Sequence, residues 1–273
     1  MGTYKLDESK IQKRLESDYQ YATSLGHEVL GVFLQGSQNY GLSYEGSDID
    51  TKAIIVPSFN DFVLNKKMVS TTEVLETDEH IDLKDVRLMW ECFKKQNINF
   101  VEILFTKYSY INPIYKKYWD KMVANNEAIA HYNNYAAVNC IAGMSMEKLA
   151  ALCHPYESKV ELINNYGYDP KQLHHIKRLN EFMKRYVSGV PYKECLLSEE
   201  PEYTISLKRI PPIMGLKEAK EKAQKWDSET KKIKNDYMDL NPVVINKDVA
   251  ELLNECLLGI MKEGFKQYLI NNP

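Results

Sequence analysis

The segment that most constrains this chain is residues 29–56, where two runs of β-forming side chains flank a loop rich in Gly, Ser and Asn. The first run, Val29-Leu30-Gly31-Val32-Phe33-Leu34, is short and apolar, and it reads as a strand. The loop carries glycines at 36, 41 and 46, and the second run, over residues 48–56, is closed by Pro57. A period of two along that run puts Asp48, Asp50 and Lys52 on one face and Ile49, Thr51 and Ala53 on the other. The pattern predicts strand, long loop, strand, with two carboxylates at the mouth of the second strand.

The flanking sequence extends this unit. Ile11, Leu15, Tyr19 and Ala22 recur at steps of three and four, an amphipathic helix that Gly26 stops. Short strands are expected over 68–76 and 79–83, then a helix from an Asp85 cap with Val86, Met89, Trp90 and Phe93 along one side. From Ile111 onward strand signals fade, and residues 126–152, 171–186, 215–232 and 247–270 read as helices. Asp169-Pro170 is a clear start, an acidic cap followed by Pro at the first helical position. At about 100–200 residues per domain, 273 residues fit one large domain or two modest ones. The expected fold is α+β, with a domain of small sheet and helices over 1–110 and a mainly helical domain over 111–273.

Composition narrows the partners. With 35 Lys+Arg against 38 Asp+Glu, the net charge is −3, so the chain is neither a polybasic nucleic-acid coat nor an acidic disordered tail. No apolar run approaches the roughly 18 residues of a membrane-spanning helix, and the polar start carries no secretory pattern. Five widely spaced cysteines without a Cys-x-x-Cys pair argue against a disulfide framework or a zinc cluster. These features predict a cytoplasmic protein with no membrane partner.

The chemistry concentrates in Gly36-Ser37-Gln38-Asn39-Tyr40-Gly41-Leu42 and in Ser47-Asp48-Ile49-Asp50. Carboxylates at i and i+2 of a strand project from one face and can share divalent cations, the arrangement used for in-line displacement at phosphorus. A Gly-Ser turn lets backbone amides and a hydroxyl approach phosphate oxygens. The order Gly-Ser, Tyr-Gly, Ser-Asp-x-Asp resembles the signature of the DNA polymerase β-like nucleotidyltransferase superfamily. Within it the chain is most similar to the group associated with RNA ligases in bacteria, archaea and phages.

That resemblance implies a fold and a division of labour. Asp48 and Asp50 would hold Mg²⁺, with Mn²⁺ as an alternative, and a third carboxylate on a neighbouring strand would complete the metal set and act as base. Asp78, His80 and Asp82 alternate on one expected strand face; Asp82 is the first choice and Asp78 the second. Gly36, Ser37 and Ser47 would hold the triphosphate, and Tyr40 would pack on base or sugar. Residues 95–104 are similar to a further family block, matched at Asn97 and Glu102 but without its Gly and Pro, and Arg87 sits where that family has a basic residue. Helix capping by Asn97 and Glu102 is the alternative reading. Lys171, His175 and Arg178 fall at i, i+4 and i+7 of one helix, as in a family segment, and would meet phosphate; a solvated basic face is the alternative.

The implied activity is Mg²⁺-dependent transfer of a nucleoside monophosphate from a nucleoside triphosphate, ATP among them, to an acceptor hydroxyl or phosphate, with release of pyrophosphate. RNA or tRNA ends are the acceptor that the resemblance suggests, with a small molecule or a protein as the other options. A non-catalytic nucleotide sensor on the same fold is the rival, because His80 stands near the register where the third acid belongs.

Overall fold

A computed structural model describes residues 7–75 and 79–271. It has α+β architecture and resolves into two compact units. One comprises the chain up to Asn39, Glu45–Asn133 and the chain from Ile245 onward; the other comprises Tyr40–Tyr44 and Asn134–Val244. Residues 111–133 and the last helix, expected with the helical half, thus run with the sheet.

The first unit opens with α1 (Glu8–Ser24), capped by Asp7, whose Oδ1 accepts from the Lys10 amide at 3.1 Å. Then follow β1 (Glu28–Leu34), β2 (Thr51–Val56), α2 (Phe59–Val63), β3 (Ser70–Val74), β4 (His80–Asp85), α3 (Val86–Lys94), α4 (Ile98–Val101), β5 (Ser109–Ile111), α5 (Lys116–Val123) and α6 (Asn126–Ala130). The sheet order is β3-β4-β2-β1-β5, with β2 and β4 parallel and the other neighbours antiparallel. On one face α1 lays Ile11, Leu15 and Ala22 against Val32, Leu34, Ala53 and Ile55. On the other, Phe33 meets the Trp119 ring at a centroid distance of 4.2 Å. Both central strands are buried along nearly their whole length, which is why they read as continuous apolar runs, while β3 is an exposed edge.

Three expectations shift. β2 begins at Thr51 rather than at 48, because its pairing with β1 ends at Leu34–Thr51 where the chain turns away at Gly36. The helix expected over 126–152 is two, α6 and α7 (Asn134–Ala151), parted at residues 131–133. β5 is a three-residue strand that pairs with β1 through Gly31, Val32 and Phe33; a Cβ on Gly31 would lie 2.9 Å from the Tyr110 carbonyl oxygen. The expected Asp85 cap is present, accepting from the Arg87 amide at 2.8 Å.

The second unit is helical, with α7, α8 (Val160–Tyr166), α9 (Pro170–Val187), α10 (Tyr192–Cys195), α11 (Pro201–Ser206) and α12 (Leu216–Leu240). Its core includes Leu152, Tyr168, Leu173, Ile176, Leu207, Ala219 and Ala223. The last helix, α13 (Lys247–Asn271), packs on α5, α3, α2 and β2 of the first unit. Among the described residues, no helix is long and apolar enough to cross a membrane.

Candidate active site

At the end of β1 the chain enters a one-turn 3-10 helix, Gly36–Gln38, with Gly36 at φ 79°, a conformation that costs a residue with a Cβ but not glycine. Asn39 closes the turn, its amide donating to the Gly36 carbonyl at 3.0 Å and its side chain to the Leu34 carbonyl at 2.8 Å. Two bonds then stitch the turn to the aspartate segment. The Gln35 amide donates to the Asp50 carbonyl at 3.0 Å, and the buried Gln38 side chain donates to the Asp48 carbonyl at 3.2 Å. A Cβ at Gly36 would meet nothing within 4 Å, so open space faces this turn. The Ser37 hydroxyl has no hydrogen-bond partner among the described residues.

Asp48 is exposed, and its carboxylate has no partner among the described residues. Asp50 is one-third exposed; its Oδ1 accepts from the His80 amide at 3.3 Å and lies 4.0 Å from His80 Nδ1. Asp82 stands beside Lys52 in the β2–β4 register, on the sheet face anticipated from the alternation of His80 and Asp82. Its carboxylate is engaged by Thr72 Oγ1 at 2.5 Å, Gln35 Nε2 at 3.2 Å and Lys84 Nζ at 3.6 Å. Asp78 lies outside the described residues. Among the described residues, no three His, Cys, Asp or Glu side chains gather closely enough to hold a metal ion by themselves. Two hard carboxylates still suit Mg²⁺, which commonly takes one or two from protein and completes its shell with water and substrate phosphate oxygens.

Behind this segment lies a polar network that the sequence reading did not single out. Thr51 Oγ1 donates to Asp18 at 2.5 Å, and Arg14 Nε reaches the same oxygen at 2.8 Å. Arg14 also pairs with Glu79, whose other oxygen accepts from the Ile49 amide at 3.2 Å. Burial pushes the Asp18 carboxyl above its ordinary range, and the bonds from Thr51 and Arg14 oppose that shift. The signal was present: Asp18 falls on the apolar stripe of α1, three residues after Leu15 and four before Ala22.

Lys52 is the other missed residue. It is 1% exposed, its Nζ donates to the Asn99 carbonyl, and it lies 4.4 Å from the Phe100 ring centroid. Burial pulls its ammonium below the usual lysine range, while the carboxylates of Glu102 and Asp82 pull the other way. Asn97 caps α4, accepting from the Asn99 amide at 3.0 Å. Arg87 grips Asp85 with two bonds, of 2.9 and 2.6 Å.

In the second unit, Asp169 caps α9 as the sequence predicts, accepting from the Lys171 amide at 2.9 Å. Lys171 is exposed and His175 half-buried. Arg178 is 8% exposed, with its guanidinium carbon 4.1 Å from the Tyr40 ring centroid. It makes no hydrogen bond or ion pair among the described residues, and its buried Nε is unpartnered. Tyr40 is itself 5% exposed, so its ring supports Arg178 rather than offering a free stacking face. His175 is held neutral: burial first, then the neighbouring His174, Arg178 and Lys171, drive its pKa well below the ordinary value. The expected basic stripe is therefore Lys171 and Arg178 with a neutral imidazole between them. His174 is buried too, bonded through Nδ1 to the Thr204 carbonyl at 2.7 Å, and burial brings its pKa down to about 3.

Compared with known proteins, the sequence matches no family model and no curated relative.

Proposed function

We propose that this chain is a divalent-metal-dependent nucleotidyltransferase, moving a nucleoside monophosphate from a nucleoside triphosphate to an acceptor hydroxyl or phosphate. The observation that carries the reading is the bonding of the Gly36 turn to the Asp48–Asp50 segment through Gln35 and Gln38. These bonds tie the turn that carries the unpartnered Ser37 hydroxyl to the segment that carries two accessible carboxylates. Asp48 and Asp50 would hold Mg²⁺ or Mn²⁺, which supplies charge neutralisation at the reacting phosphoryl group and a lowered pKa for the acceptor. The Gly36 turn and the Ser37 hydroxyl orient phosphate oxygens by hydrogen bonds. In the second unit, the unpaired guanidinium of Arg178 supports an anion-binding role of its own, because a buried charge without a counterion is costly until an anion arrives.

One observation favours a second reading. Asp82, the first-choice third acid, is occupied by Thr72, Gln35 and Lys84, an arrangement suited to a module that binds triphosphate without turning it over. RNA or tRNA ends remain the first acceptors to try, followed by small molecules and proteins.

The test is label transfer from α-³²P ribonucleoside triphosphates, with Mg²⁺ or Mn²⁺, to fractionated RNA, protein and metabolites. The wild-type chain is expected to label one fraction, and Asp50→Asn and Asp48→Asn to lose roughly a hundredfold or more of that label with unchanged thermal stability. Full transfer by Asp50→Asn overturns the metal assignment. Metal-dependent triphosphate binding without label in any fraction selects the sensor.

A further inference from the structure

A cavity of about 580 Å³ opens at the far end of β2 from Asp50, within the size range of small-molecule sites. A six-residue strand is about 20 Å long, so this cavity and the carboxylate segment occupy opposite ends of the sheet. Its charged lining balances, with Lys66, Lys67 and Arg87 against Glu28, Asp61 and Asp85. Two of those pairs close on themselves: Arg87 forks onto Asp85, and Lys66 Nζ lies 2.7 Å from Asp61 Oδ1.

One charge of each sign is left over. Glu28 Oε1 accepts from the Tyr115 hydroxyl at 2.9 Å and Asn112 Nδ2 at 3.3 Å, both neutral donors, and its Oε2 has no partner among the described residues. Lys67 makes no ion pair or hydrogen bond among the described residues. A simple anion would be repelled by Glu28 and a simple cation by Lys67, whereas a ligand that carries both charges would pair with each. The lining also includes Ile55, Val56 and Val69, which favours an aliphatic body.

We propose that this cavity binds a small zwitterion of amino-acid or dipeptide size, with its ammonium at Glu28, its carboxylate at Lys67 and an aliphatic side chain against the strand ends. The site is separate from the carboxylate segment and does not depend on the chain being a nucleotidyltransferase.

Calorimetric titration of the full chain with leucine, alanyl-leucine, N-acetyl-leucine and leucine methyl ester tests it. One or both zwitterions are expected to bind at least about tenfold more tightly than either singly charged form, the loss of one ion-paired contact. Which of the two binds better fixes the size of the ligand. Lys67→Met should reduce zwitterion affinity to that of the methyl ester, and Glu28→Gln to that of the N-acetyl form. Asp50→Asn should bind as the wild type does. The proposal is overturned if neither zwitterion binds, if N-acetyl-leucine or the ester binds equally well, or if Lys67→Met leaves affinity unchanged. Lys67 is exposed, so that last arm stands even if Glu28→Gln does not fold.

Discussion

Lys52 and Arg178 are both buried cations beside an aromatic ring, one in each unit, and they differ in what else surrounds them. Lys52 has a backbone carbonyl at its ammonium and carboxylates nearby. Arg178 has the Tyr40 ring and no hydrogen-bond acceptor among the described residues. A cation whose partners are built into the fold holds the fold together. A cation buried without them carries a desolvation cost that nothing among the described residues offsets by an ion pair.

The contrast makes its largest prediction in stability. Lys52→Met removes the cation beside the buried Glu102 carboxylate and should cost about 3 kcal/mol in urea unfolding. Arg178→Met removes an unpaired buried charge and should stay within about 1 kcal/mol of wild type, set by the lost stacking on Tyr40. The same variant should lose metal-independent affinity for inorganic triphosphate. Equal destabilisation by the two substitutions would break the comparison and make Arg178 a structural residue.

What the sequence disclosed divides along the same line. The nearness of the Gly36-Ser37 turn to Asp48 and Asp50 was legible because the relation is local, a turn and a segment eleven to fourteen residues apart, and the placing of Lys171, His175 and Arg178 on one helix because a helix fixes their spacing. Lys52 and Asp18 were not, since their meaning comes from partners distant in the chain: Asn99 for the one and Thr51, on a neighbouring strand, for the other. The start of β2 was misplaced because alternation continues through Asp48 and Asp50 while the strand they would pair with has already turned away. The charge state of His175 was likewise invisible, for helical spacing gives the face of a side chain and not the depth of its burial.

That depth gives the next prediction, of intermediate size. His174, with a folded pKa near 3, stays neutral where the unfolded chain takes up a proton at about 6.5. The unfolded state then binds more protons, so stability is full above that value and falls with acidification, by about 1.4 kcal/mol per pH unit for this residue until the folded pKa is reached. His175 adds to the fall in the same direction. His174→Asn, which keeps a donor for the Thr204 carbonyl, should flatten the slope between pH 6 and 4 in thermal melts, with pH values chosen around that window. An unchanged slope would mean that the imidazole charges within the fold.

The smallest effect belongs to Asp18, where burial and pairing compete. Its carboxyl titrates above the ordinary 3.8 in the folded chain, with burial outweighing the bonds from Thr51 and Arg14. The folded state therefore binds the proton more tightly than the unfolded one, and the contribution of Asp18 is greatest below 3.8 and is lost as pH rises through the folded pKa. Asn mimics the protonated acid, so the melting temperature of Asp18→Asn relative to wild type should rise between pH 3 and 7. A relative fall over that range would make Asp18 a charge whose partners more than compensate its burial. The network under Ile49 and Thr51 would then be an ion-paired scaffold for the carboxylate segment, rather than a hydrogen-bonded one that tolerates a neutral residue at this position.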